Sequence, residues 1–161
     1  MRKKIIVRGP VLSQSGYGEQ ARFAVRSLRA HEDKFDIYIS PTGWGQTGWV
    51  HRDTEERKWL DFIINKTNHA VQSRVTFDLS LQITIPNEWE KLAPINIGYT
   101  AGIESDKIDP VWVEKSSIMD KIIVVSNHAK YGFDTTNWVG SDQKGNRVEL
   151  KNRVPVETVN Y

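Results

Sequence analysis

The most constraining stretch of the sequence runs from Lys4 to Leu28: an apolar run, a glycine-bearing loop, then an amphipathic segment. Ile5, Ile6 and Val7 are β-branched and uninterrupted by polar residues. Such a run suits a strand covered on both faces in a parallel sheet. The loop over residues 9–18 carries Gly9, Gly16 and Gly18. Ala21, Ala24, Val25 and Leu28 follow at the spacing of one helix face, while Arg22, Arg26 and Arg29 fall elsewhere and are expected to stay in water. Ser15 is placed to cap this helix by accepting from an amide of its first turn. Gly16 and Gly18 keep side chains away from that turn. A strand, a small-residue loop and a helix N-terminus together form a site suited to an anion or a sugar phosphate. The loop is not a P-loop, because no Gly-Lys-Ser/Thr follows. It is not the dinucleotide fingerprint either, because Glu19, Gln20 and Ala21 follow Gly18. A tight turn that simply requires glycine is the competing reading.

Strand and helix patterns alternate through the rest of the chain. Residues 35–39 read as a second strand ended by Ser40-Pro41, since proline cannot donate within a central strand. Residues 42–49 hold three glycines and two tryptophans and read as a loop. Asp53 and Glu56 resemble a capping box, opening a helix to about Asn68 that turns Trp59, Phe62 and Ile63 to one face. Residues 77–85 alternate strictly, as in a strand with one face less apolar than the other. Residues 95–100 form a further strand. Asp109 and Pro110 suit the cap and first position of a helix ending near Met119. Residues 121–125 form a second fully apolar strand, and Ser126 opens a short helix through about Phe133. Residues 137–146 read as a polar surface loop, and residues 147–150 and 154–159 as terminal strands.

This alternation predicts an α/β fold, a Rossmann-like doubly wound parallel sheet in a single domain over residues 1–161. Such sheets bind ligands beyond the carboxyl ends of their strands. The loops at 9–18, 42–49, 86–90, 100–104 and 126–128 all follow predicted strands and are expected at one edge. Gly16, Gly18, Thr100, Glu104 and Ser126 are accordingly expected around one cleft.

Composition removes several function classes. Hydrophobic residues make up 39% and charged residues 26%, which fits a folded globular chain. A net charge of +2 without any lysine/arginine run argues against nucleic acid. With no cysteine, disulfides and thiolate metal sites are excluded, and the four histidines show no metal-ligand spacing. No metal and no cofactor are expected. No stretch is long enough to span a membrane, and the apolar run after Met-Arg-Lys-Lys is too short for a signal peptide, so the expected location is cytoplasmic.

Four segments in order carry a resemblance: Ser15-Gly16-Tyr17-Gly18, Pro86-Asn87-Glu88-Trp89, Asn96-Ile97-Gly98-Tyr99-Thr100-Ala101-Gly102-Ile103-Glu104, and Ile123-Val124-Val125-Ser126-Asn127-His128-Ala129-Lys130. Together they resemble the N-terminal, acceptor-side half of GT-B glycosyltransferases, most closely the retaining group 1 enzymes. In that family two Rossmann-like domains face each other across a cleft, and the C-terminal one holds most of the donor. The resemblance covers nearly the whole chain and implies that the C-terminal donor-binding domain is absent from it. The isolated chain would then be catalytically incomplete. Apolar side chains left uncovered would include Trp44, Trp49 and Trp89, and self-association would follow.

Residue by residue, the resemblance implies that Ser15, Gly16 and Gly18 approach the phosphates of a nucleotide-sugar, a substrate rather than a cofactor. Many relatives carry a histidine near the reacting sugar in the loop 100–104. It is missing here, and Glu104 is the nearest candidate to orient an acceptor hydroxyl or take its proton, with a solvated surface glutamate as the alternative. Thr100, Ser126 and His128 would face the cleft, with a helix-cap role as the alternative for His128. Glu88 and Trp89 would line the acceptor side. Trp44 and Trp49 would stack on a sugar ring, or else pack beneath their loop. The implied partners are a nucleotide-sugar donor and a carbohydrate or lipid-linked acceptor. The rival classes are a non-catalytic carbohydrate- or protein-binding module, and a dinucleotide-binding α/β enzyme domain. Against the last, Ile39-Ser40-Pro41-Thr42 lacks the acidic residue that would hold a ribose.

Overall fold

In a computed structural model, residues 1–45, 48–50, 53–102 and 105–160 are described. Strand β1 (Lys3–Gly9) leads through the glycine-bearing loop into helix α1 (Gly16–Arg29). Then come β2 (Phe35–Pro41), α2 (Glu55–Gln72), β3 (Leu79–Ile83), a 3-10 turn (Pro86–Glu88) and β4 (Ile95–Thr100). Helix α3 (Pro110–Ser116), β5 (Lys121–Val124), α4 (Asn127–Thr135), β6 (Asn137–Ser141), β7 (Arg147–Lys151) and β8 (Val156–Thr158) complete the chain. A six-stranded parallel sheet in the order β2-β1-β3-β4-β5-β8, flanked by helices, makes the fold Rossmann-like and doubly wound. Both apolar runs read from the sequence lie in it. β1 pairs in parallel with β2 and β3, and β5 in parallel with β4 and β8. Ile122 and Val124 are buried, whereas Ile123 on the opposite face of β5 is only half-buried. Contacts divide the chain into two compact units, Met1–Thr84 with Leu92–Asn96, and Ile85–Lys91 with Ile97–Tyr161.

In the first unit, Ile5 and Val7 are buried on one face of β1 and Ile6 on the other. Helix α1 packs close over the end of β1: a Cβ on Gly9 would stand 3.6 Å from the Ala21 Cβ and 3.0 Å from the Ile83 carbonyl oxygen. On the opposite face, Ile6, Tyr38 and Ala70 of α2 form a cluster with Phe77 and Leu92.

Helix α2 departs from the sequence reading. Its cap is Thr54, whose hydroxyl accepts from the Arg57 amide, while Asp53 forms an ion pair with Lys58 at 3.5 Å. The helix begins one residue later than a capping box on Asp53 requires. Its buried stripe is Leu60, Ile63, Thr67 and Ala70, and Phe62 is 66% exposed. Thr67 belongs to that stripe for a polar reason. Its hydroxyl accepts from the Ile39 amide at 2.8 Å and donates to the Ile63 carbonyl at 2.7 Å, satisfying a donor of the edge strand β2.

Strand β3 is shorter than the alternating pattern, and both its faces are covered. Ser80, Gln82 and Thr84 are buried along with Leu81 and Ile83. The polar face is held by Asn96, whose Oδ1 accepts from the Ser80 hydroxyl at 2.6 Å and from the amides of Leu92 and Ala93. The less apolar face read from the alternation is a buried polar face.

At the sheet edge, Asp36 of β2 accepts from Lys66 and from the Tyr38 hydroxyl. Burial pushes its carboxyl up. The hydrogen bonds from Lys66 and Tyr38, with the charges of Lys66 and Arg2, outweigh burial and hold it below the ordinary carboxylate range. A depressed folded value stabilises the fold fully above the unfolded pKa of about 3.9 and loses that contribution as pH falls through the folded value. Asp36→Asn should therefore flatten the fall in stability below about pH 4, read by urea unfolding across acid pH. Identical acid slopes in both proteins would refute the assignment.

In the second unit, Asp109 caps α3 ahead of Pro110 as expected, and α3 ends at Ser116. Ser126 caps α4 by accepting from the Ala129 amide at 3.1 Å. The stretch expected to be a polar loop instead contains β6, paired antiparallel with β7. Only its tip is a turn. There the Asp142 carboxylate accepts from the Lys144 and Asn146 amides, and Gly145 takes a positive φ of 79°.

Candidate functional site

In the first unit, the predicted anion loop is built from its own backbone outward. The chain leaves β1 at Gly9 and tightens at once, the Val11 amide donating to Gly9 O at 2.9 Å and the Ser13 amide to Pro10 O at 3.0 Å. Ser15 has an extended backbone (φ −145°, ψ 170°) and its hydroxyl accepts from the Gly18 amide at 3.0 Å. The Ser13 hydroxyl donates in turn to Ser15 Oγ. The two glycines of the first turn do different work. A Cβ on Gly18 would stand 2.0 Å from the Ser13 carbonyl oxygen, whereas a Cβ on Gly16 meets nothing within 4 Å. Gly18 permits the loop to close on the helix, and Gly16 leaves open space over the helix start.

Arg22 corrects the expectation that it stays in water. It is 5% exposed; its Nη1 donates to the carbonyls of Val11 and Ser13 at 2.9 and 2.7 Å, and its Nη2 pairs with Glu19 at 2.7 Å. The guanidinium ties down two backbone carbonyls of the loop. A cleft of about 600 Å³ opens beside it, bounded by Gln14, Ser15, Gly16 and Arg26, and by Thr54 and Glu56 near the start of α2. Arg26 pairs with Glu56 across the cleft. Its hydrogen bond outweighs burial and holds the Glu56 carboxyl below its ordinary range. An anion entering here meets the positive end of α1 and two arginines already partnered by carboxylates.

The loop after β2 joins this rim. The Gln14 amide donates to Gly48 O, the Val50 amide to Leu12 O, and Gln14 Nε2 to Trp49 O. Trp44 lies against Tyr17 of the first turn of α1, ring centroids 4.3 Å apart, and Trp49 is 48% exposed. Two groups read separately from the sequence, Ser15–Gly16–Gly18 and Trp44–Trp49, thus meet at one place.

In the second unit, Thr100 is fully buried at the end of β4, and the Gly102 amide donates to its hydroxyl at 3.4 Å. Gly102 has φ 83°, and a Cβ there would stand 2.6 Å from the Ala129 Cβ at the start of α4. The 100–102 turn therefore rests on the Ser126-capped end of α4, and the Thr158 hydroxyl approaches Ser126 O at 3.5 Å. His128 is exposed on the first turn of α4; the cap is Ser126, not His128. Glu88 is exposed on the 3-10 turn. Trp89 does not line an open cleft or add to an exposed patch. It is fully buried, because Gly98 leaves its ring a place against β4. The five residues expected to share one cleft divide between the two units, and Glu104 lies outside the described residues.

Among the described residues no group of three or more histidine, aspartate or glutamate side chains is placed to hold a metal ion, and no helix is long and apolar enough to cross a membrane. Comparison with family models, with curated proteins and with solved structures finds no match.

Proposed function

We propose that the chain is the acceptor-side domain of a GT-B glycosyltransferase, which moves a sugar from a nucleotide-sugar to an acceptor hydroxyl with retention. The observation that carries the reading is the start of α1. A serine-capped helix N-terminus with open space above Gly16 favours the phosphates of a donor. The Trp44–Tyr17 pair beside it offers flat apolar faces with polar edges, which suit a sugar ring. In this reading Ser126 approaches the acceptor, Glu104 orients or deprotonates its hydroxyl, and Thr100, which is fully buried, supports the turn that follows β4.

Titration tests it. Inorganic pyrophosphate and a uridine or guanosine diphosphate sugar should bind saturably and compete with each other. Gly16→Val should weaken both about tenfold or more while leaving the unfolding free energy within about 0.5 kcal/mol, because the new side chain enters space that only a ligand would use. Binding of a nicotinamide dinucleotide in place of both ligands would favour the dinucleotide-binding class. Equal binding by Gly16→Val would remove the site.

A further inference from the structure

Arg22 and Arg26 both line the cleft beside α1, and each is held by a carboxylate. A phosphate reaches either cation only by taking the place of that carboxylate, so one of the two pairs must open. The pairs are built differently. Arg26 meets Glu56 at two points, Nε to Oε1 at 2.5 Å and Nη2 to Oε2 at 3.0 Å, and only 33% of the Glu56 side chain is exposed. That bidentate geometry is the strong form of the contact. Arg22 meets Glu19 through one hydrogen bond, Nη2 to Oε1 at 2.7 Å, and 61% of the Glu19 side chain lies in water. The Glu19 carboxylate can leave into solvent at small cost. Arg22 cannot follow it, because its Nη1 is held by the Val11 and Ser13 carbonyls.

Arg22 is also at the right end of the helix. Its Nη1 lies 3.2 Å from where a Cβ on Gly18 would stand, so the guanidinium sits beside the first turn of α1 and the Ser15 cap. Arg26 starts about 15 Å along the helix axis from Gly16. A guanidinium that is buried and already fixed attracts an anion more strongly than one in open water. Carboxylate and phosphate oxygens accept from it in the same geometry.

We infer that the Nη2 end of Arg22 is the cation that receives the donor's phosphate, and that Glu19 is an internal stand-in which swings away to admit it. This rests on the reading of the α1 start as a phosphate site. Glu19 then sets how much affinity the site retains, by competing for the same N–H.

Calorimetric titration of the 161-residue chain with pyrophosphate tests the exchange. Glu19→Gln and Glu19→Ala should each tighten binding about fivefold to tenfold, because the competitor has lost its charge or its reach. Glu32→Gln removes the same charge from an exposed position beyond the far end of α1 and should change affinity less than about twofold. In an Arg22→Met background, Glu19→Gln should bring no gain. Arg22 is buried, so that background can fail to fold; the comparison of Glu19→Gln with Glu32→Gln then decides alone. If Gly16→Val weakens pyrophosphate while Glu19→Gln binds like wild type, the inference falls and the phosphate site stands. Equal tightening by Glu32→Gln overturns the inference in the same way. If Glu19→Gln tightens pyrophosphate while no nucleotide-sugar binds, the inference stands and the glycosyl-transfer reading falls. Absence of pyrophosphate binding in wild type and in both Glu19 variants overturns both.

Discussion

Replacing Trp89 with alanine should cost about 3–5 kcal/mol of stability, the range for emptying a buried aromatic site. Trp89 is fully buried among Ile108, Trp112, Val113, Met119, Ile122, Val124 and Phe133. Its ring lies so close to β4 that a Cβ on Gly98 would stand 2.4–2.8 Å from Cζ2, Cε2 and Cη2. The surrounding elements cannot collapse easily into the gap. The Trp89 amide donates to Pro86 O and Trp112 Nε1 donates to Asn87, so the turn that carries Trp89 is fastened on both sides of it. Trp89→Phe separates packing from polarity. The indole N–H is buried and has no hydrogen-bond partner among the described residues, so phenylalanine loses some volume but removes an unsatisfied donor worth about 1–3 kcal/mol. The phenylalanine variant should therefore lie much nearer wild type than alanine in urea unfolding. An alanine variant within about 1 kcal/mol of wild type would show that Trp89 is not a keystone of this core.

Trp89 also shows where reading the sequence stops. The β1–loop–α1 unit was legible because strand composition, capping serine and helix periodicity agree, and each is a local property. Asp109 was legible as a cap for the same reason, whereas the cap of α4 is Ser126 and not His128. Trp89 follows Pro86-Asn87-Glu88, a polar turn after a strand, and nothing local says that the next side chain turns inward. Only Gly98, nine residues on, makes room for it. Arg22 was misplaced because helical periodicity assigns charged residues to water, while its partners are carbonyls of the preceding loop. The alternation marked one face of β3 as less apolar but does not reveal that this face too is buried, with Asn96 accepting from Ser80. Apolar character groups Phe62 with Ile63, whereas the buried stripe of α2 runs through Leu60, Ile63, Thr67 and Ala70 and includes a threonine that apolar patterning passes over. On the site side, the meeting of Trp44 and Trp49 with the Ser15 loop follows from parallel neighbours β1 and β2 placing their trailing loops together. The contacts between Tyr17 and Trp44 and between Gln14 and Trp49 are tertiary and leave no local trace in the sequence.

Gly18→Ala should destabilise the protein by about 3 kcal/mol or more, although helix propensity alone predicts a gain of about 1 kcal/mol. The opposing term is steric and cannot be relieved cheaply. The new Cβ would lie 2.0 Å from the Ser13 carbonyl oxygen and 2.9 Å from its carbon. Both are backbone atoms, so no rotamer change removes the overlap. Ser13 is also held in place: its carbonyl accepts from Arg22, its amide donates to Pro10 O, and it bridges Trp49. Moving it would break the Ser15 cap on the Gly18 amide, worth about 0.5–2 kcal/mol. It would also strip the buried Arg22 guanidinium from carbonyls whose loss costs about 1–3 kcal/mol each. These losses exceed the propensity gain. Equilibrium urea unfolding of Gly18→Ala beside Gly16→Val checks the argument, since both replace a glycine in the same turn and only one meets backbone. A Gly18→Ala protein as stable as wild type, or more so, would show that the loop closes on the helix less tightly than these contacts require.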